Sequence, residues 1–184
     1  FSLFEINGGD KPNAIPREAY AKLALDKKNK KAFITELIAN AEEIYQEIKP
    51  IDPNFKVDVK PCEPSKMILN KTSQTILLNL LHGLPHGVYQ MNYYINKQVN
   101  TSTNLATVHS KENMIVIRMS SRSSMKSALQ DIQDHIKAIA CLSNARVTEE
   151  NFYPGWKPNF QSKILILLNK IFKDMFKVEP KIEV

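Results

Sequence analysis

The chain has 184 residues, 43% of them apolar and 24% charged, with only two cysteines and a formal charge of +6. This is the composition of an ordinary globular protein with one substantial core and room for a small appendage, and no apolar run approaches the roughly 18 to 20 residues that span a bilayer. Cys62 and Cys141 stand alone and far apart, which excludes a disulfide framework or structural zinc site and predicts two free thiols, with Cys141 in the core.

In chain order, residues 1 to 6 (FSLFEI) read as a strand, followed by a loop through Gly8, Gly9, Asp10, Lys11 and Pro12, where two glycines are free to take positive φ. "EAYAKLALD" alternates Ala19, Ala21, Leu23 and Leu25 with Tyr20, Lys22 and Asp26, the period of a second strand. Residues 29 to 48 place Phe33, Leu37, Ile38, Ala41, Ile44, Tyr45 and Ile48 on one helical face, which predicts a helix lying on something apolar and ended by Pro50 and Pro53. "FKVDVKPCE" alternates Phe55, Val57 and Val59 against charges and is expected to be a half-buried strand.

A short helix is predicted over 72 to 82, with Ile76, Leu77, Leu80 and Leu81 inward and Gly83 and Pro85 as its stop. From Gly87 to about Ser121 the chain is rich in Val, Ile, Tyr and Thr without helical period, and "ENMIVIRM" gives the strongest strand signal. Ser123 or Ser124 is expected to cap a helix whose buried stripe is Leu129, Ile132, Ile136, Ile139 and Ala140. "ARVTEENFYPGWKPN" reads as a strand and a Pro-Gly-Trp-Lys-Pro loop. Ser162 is the expected cap of a last amphipathic helix carrying Ile164, Leu165, Leu168, Ile171, Phe172, Met175 and Phe176, and "PKIEV" reads as a closing strand. Consecutive strands among fewer helices predict an α+β fold, an antiparallel or mixed sheet with amphipathic helices packed on one face.

The lysines fall into two groups, at 27 to 31 and from Lys157 to Lys181, which reads as two solvated faces and argues against a nucleic-acid track. FSLFEING lacks the basic start and cleavage site of a signal peptide, so a soluble cytoplasmic protein without membrane or nucleic-acid partners is expected. Apolar strand-like segments at both ends predict a piece of a longer polypeptide.

No catalytic constellation is visible. His82 and His86 are four apart, but Gly83, Leu84 and Pro85 break the helix between them; with His109 and His135 they read as structural or surface groups. The adjacent pairs Glu42-Glu43 and Glu149-Glu150 diverge and chelate poorly. Three polar features remain. Asn13 is projected from a stiff loop between Pro12 and Pro16, where an ordinary turn is an equal explanation. Asn104 lies in the strand pattern "NTSTNLATV", where an edge position or a ligand contact accounts for it. Arg118 and Arg122 close a strand before a helix, as carboxylate-binding forks or as partners of a neighbouring acid.

Four blocks in order, "EINGGDKPNAIPREAYAKL", "LLNLLHGLPHGVYQMN" followed by "NTSTNLATV", "IRMSSRSSMKS", and "FYPGWKPNFQSKILILLNKIFKDMFKVEPKIEV", resemble the aminoacyl-histidine dipeptidases. These belong to the dinuclear-zinc peptidases that include carnosinase. The resemblance covers nearly the whole chain and is weakest across residues 26 to 72.

It implies that residues 1–152 are a lid and dimerisation domain, incomplete on its N-terminal side, and that 153–184 re-enter a catalytic domain. In that family two zinc ions polarise the scissile carbonyl and supply hydroxide. Their ligands, and the Gly-Gly-His-Ser-Gly loop that precedes the first block, would lie outside this chain, which by itself is expected to bind no zinc and hydrolyse nothing.

By the same resemblance Arg122 matches the arginine that grips a dipeptide substrate's terminal carboxylate, Arg118 is the poorer match, and Asn104 and Asn13 match asparagines of the substrate-facing edge. A homodimer is implied. Asn159 departs from the Asp usual in relatives. The rival readings are a stand-alone basic module binding RNA or an acidic partner through "VYQMNYY", and a homologue that has lost its metal ligands.

Overall fold

The alternation of FSLFEI and EAYAKLALD produces a hairpin of β1 (Ser2–Gly8) and β2 (Ala19–Ala24), paired antiparallel from Ser2↔Ala24 to Gly8↔Ala19. The structure, a computed structural model, describes residues 1–65, 67–93, 95, 97–150, 153–155, 159 and 161–180. After the hairpin come α1 (Lys30–Ile48), α2 (Lys71–Gly83), β3 (Gly87–Met91), β4 (Val99–Lys111), β5 (Met114–Ser123), α3 (Lys126–Leu142) and α4 (Lys163–Phe176). α2 begins where the Asn70 side chain accepts from Ser73 N at 2.8 Å, satisfying one of the donors that a helix start leaves free.

All described pairings are antiparallel. β4 is the longest strand and organises the sheet: β5 runs along one edge, while the other edge is shared by β3 at one end and β1 at the other. α2 and α3 cover one face. There Leu3, Leu77, Leu80, Leu84, Val108, Leu129, Ile132 and Ala140 form the core. Thr101 and Thr103 are also buried on this face, each hydroxyl satisfied across the strand by Ser123 (2.9 Å) or Ser121 (2.8 Å). The α+β expectation therefore holds, with an antiparallel sheet.

Several expectations fail. "FKVDVKPCE" joins no ladder, and Val57 and Val59 are exposed. Alternation describes a surface that suits a sheet but supplies no neighbour to bond, and Pro53, Pro61 and Pro64 withhold donors around it. Residues 145–150 likewise form no strand. Neither Ser123 nor Ser124 caps α3, because their hydroxyls are engaged elsewhere: Ser123 Oγ meets Thr101 Oγ1 and accepts from Met125 N, and Ser124 Oγ donates to Asn100 Oδ1. Ser162 precedes α4 without a side-chain capping bond. Cys62 and Cys141 are free, but Cys141 is exposed, since it lies about 100° around the helix from the buried Ala140. The "PKIEV" strand falls almost wholly outside the described residues, as do Trp156, Lys157 and Pro158 of the Pro-Gly-Trp loop.

The helices at the two ends of the chain are the least covered. In α1 the Phe33 ring lies 5.5 Å from Phe1, yet no residue is buried and Ile38 and Ile44 are exposed. α4 buries none of its side chains; Ile164, Leu167, Leu168 and Met175 all stand in the open.

The sheet face opposite α2 and α3 is polar. Glu5 Oε1 accepts from Tyr20 OH (2.7 Å) and Asn7 Nδ2 (2.9 Å), and Glu5 Oε2 pairs with Lys22 Nζ at 2.6 Å. The hydrogen bond from Lys22, followed by that from Tyr20, holds the Glu5 carboxyl below its usual range. A carboxylate depressed in this way stabilises the fold above its unfolded-state value and loses that contribution as pH falls through the folded value. Thermal unfolding should therefore show a steeper loss of stability below about pH 4.3 for the native chain than for Glu5→Gln. Equal acid limbs would show that the cluster contributes nothing.

Candidate functional site

The transfer of β4's edge from β3 to β1 leaves a gap. The last partner on β3 is Gly87, opposite Thr103; the first on β1 is Gly8, opposite Val108. Residues 104–107 of β4 face no strand on that side, and a bulge between Leu105 and Thr107 disturbs the β5 side as well. Two groups fill the gap. His86 Nδ1 accepts from Leu105 N at 3.1 Å, and Gly9 packs on the backbone of Ala106 and Thr107 so closely that a Cβ there would lie 1.9 Å from the Ala106 carbonyl oxygen.

Gly9 has φ +70° and its N–H donates to Glu18 O at 3.0 Å, closing the base of the 9–18 loop. The loop folds over the free sheet face, where Asn104 Nδ2 donates to Ala14 O at 2.7 Å. Asn104 and the Asn13 segment, 90 residues apart in sequence, thus meet. Asn13 itself is exposed beside this latch. The structure gives Asn104 a task the sequence did not suggest, holding the loop. Its Oδ1 is enclosed and accepts nothing among the described residues, as is Thr107 Oγ1. An enclosed acceptor left without a donor costs about 1–3 kcal/mol, so a donor that reached either oxygen would be stabilised there.

Arg122 stands opposite Ser102 and Arg118 opposite Thr107, with Ser120, the partner of Asn104, between them. The hydroxyl pairs Thr101–Ser123 and Thr103–Ser121 point to the helices, so alternation sends Ser102, Asn104, Ser120 and Arg122 to the free face. Both arginines are exposed, and among the described residues neither pairs with a carboxylate. The simpler explanation, an arginine neutralised by a neighbouring acid, is therefore not met. Two guanidinium groups flank an amide on one surface, an arrangement suited to binding an anion and orienting the group attached to it.

Among the described residues no three His, Cys, Asp or Glu side chains gather into a group that could hold a metal ion. No described helix is long and apolar enough to cross a membrane. Asn159 lines a groove of about 910 Å³ together with Tyr89, Asn100 and Asp131. Nearby, Gly155 packs against the end of β5, where a Cβ would meet Ser123 O at 2.3 Å.

His86, read from the sequence as a structural or surface group, has a structural role whose place the sequence did not show: it is the hydrogen-bond partner of the strand that carries Asn104. No periodicity marks it, because its role depends on a gap in a five-stranded sheet assembled from distant parts of the chain.

Both the sequence and the fold are similar to those of dipeptidases. The cytosol non-specific dipeptidase of Escherichia coli K12 is 27% identical over 183 residues, which is 99% of this chain and 38% of that protein. The crystal structure of the aminoacylhistidine dipeptidase from Vibrio alginolyticus superposes on all of this chain with a TM-score of 0.95 and 25% identity, covering 37% of the Vibrio chain. The chain thus spans less than two fifths of the length of each. No family model matches it.

Proposed function

We propose that this chain is the lid and dimerisation portion of a cytoplasmic, zinc-dependent aminoacyl-histidine dipeptidase, and that its free sheet face binds the substrate while the metal site lies outside it. The observation that carries this reading is that Arg122, which pairs with no carboxylate among the described residues, lies one register step from an Asn104 latched to the Asn13 loop. Arg122 takes the terminal carboxylate of a dipeptide in a charge-assisted fork, with Asn104 and Asn13 offering amide groups to the peptide unit. Holding the dipeptide at its charged end fixes where its scissile carbonyl lies. The zinc ions and the general base are supplied by the remainder of the protein.

Residues 1–152 are the lid and 153–184 lead into the catalytic domain. The exposed apolar side chains of α4 support this division, since Ile164, Leu167, Leu168 and Met175 require a cover that the described residues do not provide. A second copy of the lid completes a homodimer. The rival reading, a basic module for RNA or an acidic partner, has less support: Tyr89, in its aromatic segment, contacts His135 of α3 and faces the helix side.

The test is hydrolysis. The protein that carries this chain, supplied with zinc, is expected to release free histidine from Xaa-His dipeptides, and the 184-residue chain under the same conditions is expected to release none. Release by the chain alone would overturn the division of labour. No release by the larger protein, or a sequence around this chain lacking His-x-Asp, Glu-Glu and a late His, would overturn the peptidase reading.

A further inference from the structure

We propose that His86 is a positioning residue of the substrate face, its imidazole replacing a missing strand where β4 passes from β3 to β1. The argument begins with the backbone. An N–H in the middle of a sheet needs an acceptor, and at Leu105 neither β3 nor β1 reaches far enough to supply one. His86 Nδ1 does so at 3.1 Å. Leu105 follows Asn104 directly, so the peptide unit fixed by this bond is the one that sets how the Asn104 side chain leaves the strand. Asn104 in turn holds Ala14 O at 2.7 Å and, through it, the loop that presents Asn13.

The local chain is built to hold the ring there. Pro85 stiffens the approach, and Gly87, with φ +102°, turns the backbone into β3 immediately afterwards. As the acceptor of this bond, Nδ1 carries no proton of its own. A doubly protonated ring has no acceptor and cannot make this bond. The chain of contacts therefore runs from the α2–β3 connection through His86 and Leu105 to Asn104 and the 9–18 loop.

That this positioning serves a substrate rests on the function proposed above; the positioning itself does not. Two near-isosteric variants separate the possibilities. In His86→Asn the side-chain oxygen falls where Nδ1 lies, whereas in His86→Gln the amide falls where Nε2 lies and misses Leu105 N. On the 184-residue chain, amide exchange at Leu105 is expected to quicken by about tenfold in His86→Gln and to stay near the native rate in His86→Asn. The Asn104 side-chain amide signals should lose their bonded shift only in the Gln variant. Unchanged exchange in His86→Gln, or equal loss in both variants, overturns the proposal.

In the larger protein, His86→Gln should raise KM for a dipeptide by roughly three- to tenfold with kcat within about twofold, and His86→Asn should restore KM. A fall in kcat at constant KM would overturn a positioning role in substrate binding. If the native protein hydrolyses no dipeptide, the substrate reading falls and the exchange experiment alone decides the role of His86.

Discussion

Arg122→Ala in the protein that carries this chain is expected to raise KM for unblocked dipeptides by roughly 30- to 100-fold, leaving kcat within a few-fold and the bound zinc in place. The size follows from what is lost. A hydrogen-bonded pair with an ionised partner is worth about 1.5–3 kcal/mol, and a bidentate guanidinium-carboxylate fork lies at the upper end. Arg122 brings to this pair a side chain with no competing acid among the described residues, so binding breaks no existing ion pair.

Controls separate this role from a structural one. Dipeptide amides, which lack the terminal charge, should be hydrolysed with similar constants by native and variant proteins. Arg122→Lys should recover only part of the loss, because an ammonium is a point charge without the planar fork. Arg118→Ala should have the smaller effect, since Arg118 lies opposite Thr107, beneath the loop and further along β5 from Ser102. Loss of zinc in Arg122→Ala, or equal effects on free and amidated dipeptides, would remove the carboxylate-binding role.

The second large effect is expected at Gly9. Gly9→Ala should destabilise the chain by about 3 kcal/mol or more in denaturant unfolding, from two additive causes. The residue has φ +70°, where an alanine costs roughly 1–2 kcal/mol. Its Cβ would also lie 1.9 Å from Ala106 O and 3.0 Å from the Ala106 carbonyl carbon, both backbone atoms of the central strand that have no rotamer by which to withdraw. The loop must lift, and the Asn104–Ala14 bond breaks with it.

Gly87→Ala is the matched comparison. It too has positive φ, +102°, but nothing lies within 4 Å of its Cβ position, so backbone strain is the whole cost and about 1–2 kcal/mol is expected. If the two variants lose equal stability, the close approach of Gly9 to β4 is not what holds the loop down. If Gly9→Ala folds with native stability, the geometry of the latch is wrong.

Much of the architecture was legible because periodicity reports burial. The stripe Leu129, Ile132 and Ala140 is buried as its spacing required, "ENMIVIRM" forms most of β5, and Gly83 with Pro85 ends α2. The errors share one physical origin. "FKVDVKPCE" and residues 145–150 have a suitable composition but no partner strand, and pairing is a property of two segments. Ser123 and Ser124 are good caps in isolation, yet Thr101 and Asn100, some twenty residues earlier, claim their hydroxyls. α1 and α4 carry apolar faces that the described residues leave exposed, so amphipathicity revealed that a cover is needed without saying what supplies it.

The candidate site divides in the same way. Residue types drew attention to Asn13, Asn104, Arg118 and Arg122, each with an ordinary structural explanation beside it, and it was the resemblance to the aminoacyl-histidine dipeptidases that assigned Asn13, Asn104 and Arg122 to a substrate face. The sequence by itself also determined the α+β class, since the periods of 2 and 3.6 are written into neighbouring residues and need no distant contact to be read. Only the tertiary structure decided that Asn104 reaches back across 90 residues to Ala14, that Arg122 has no acidic neighbour among the described residues, and that His86 stands in for a strand. Each of these depends on which backbone groups remain unpaired once β1, β3 and β5 have taken their places along β4. That accounting exists only when the whole sheet has closed around its central strand.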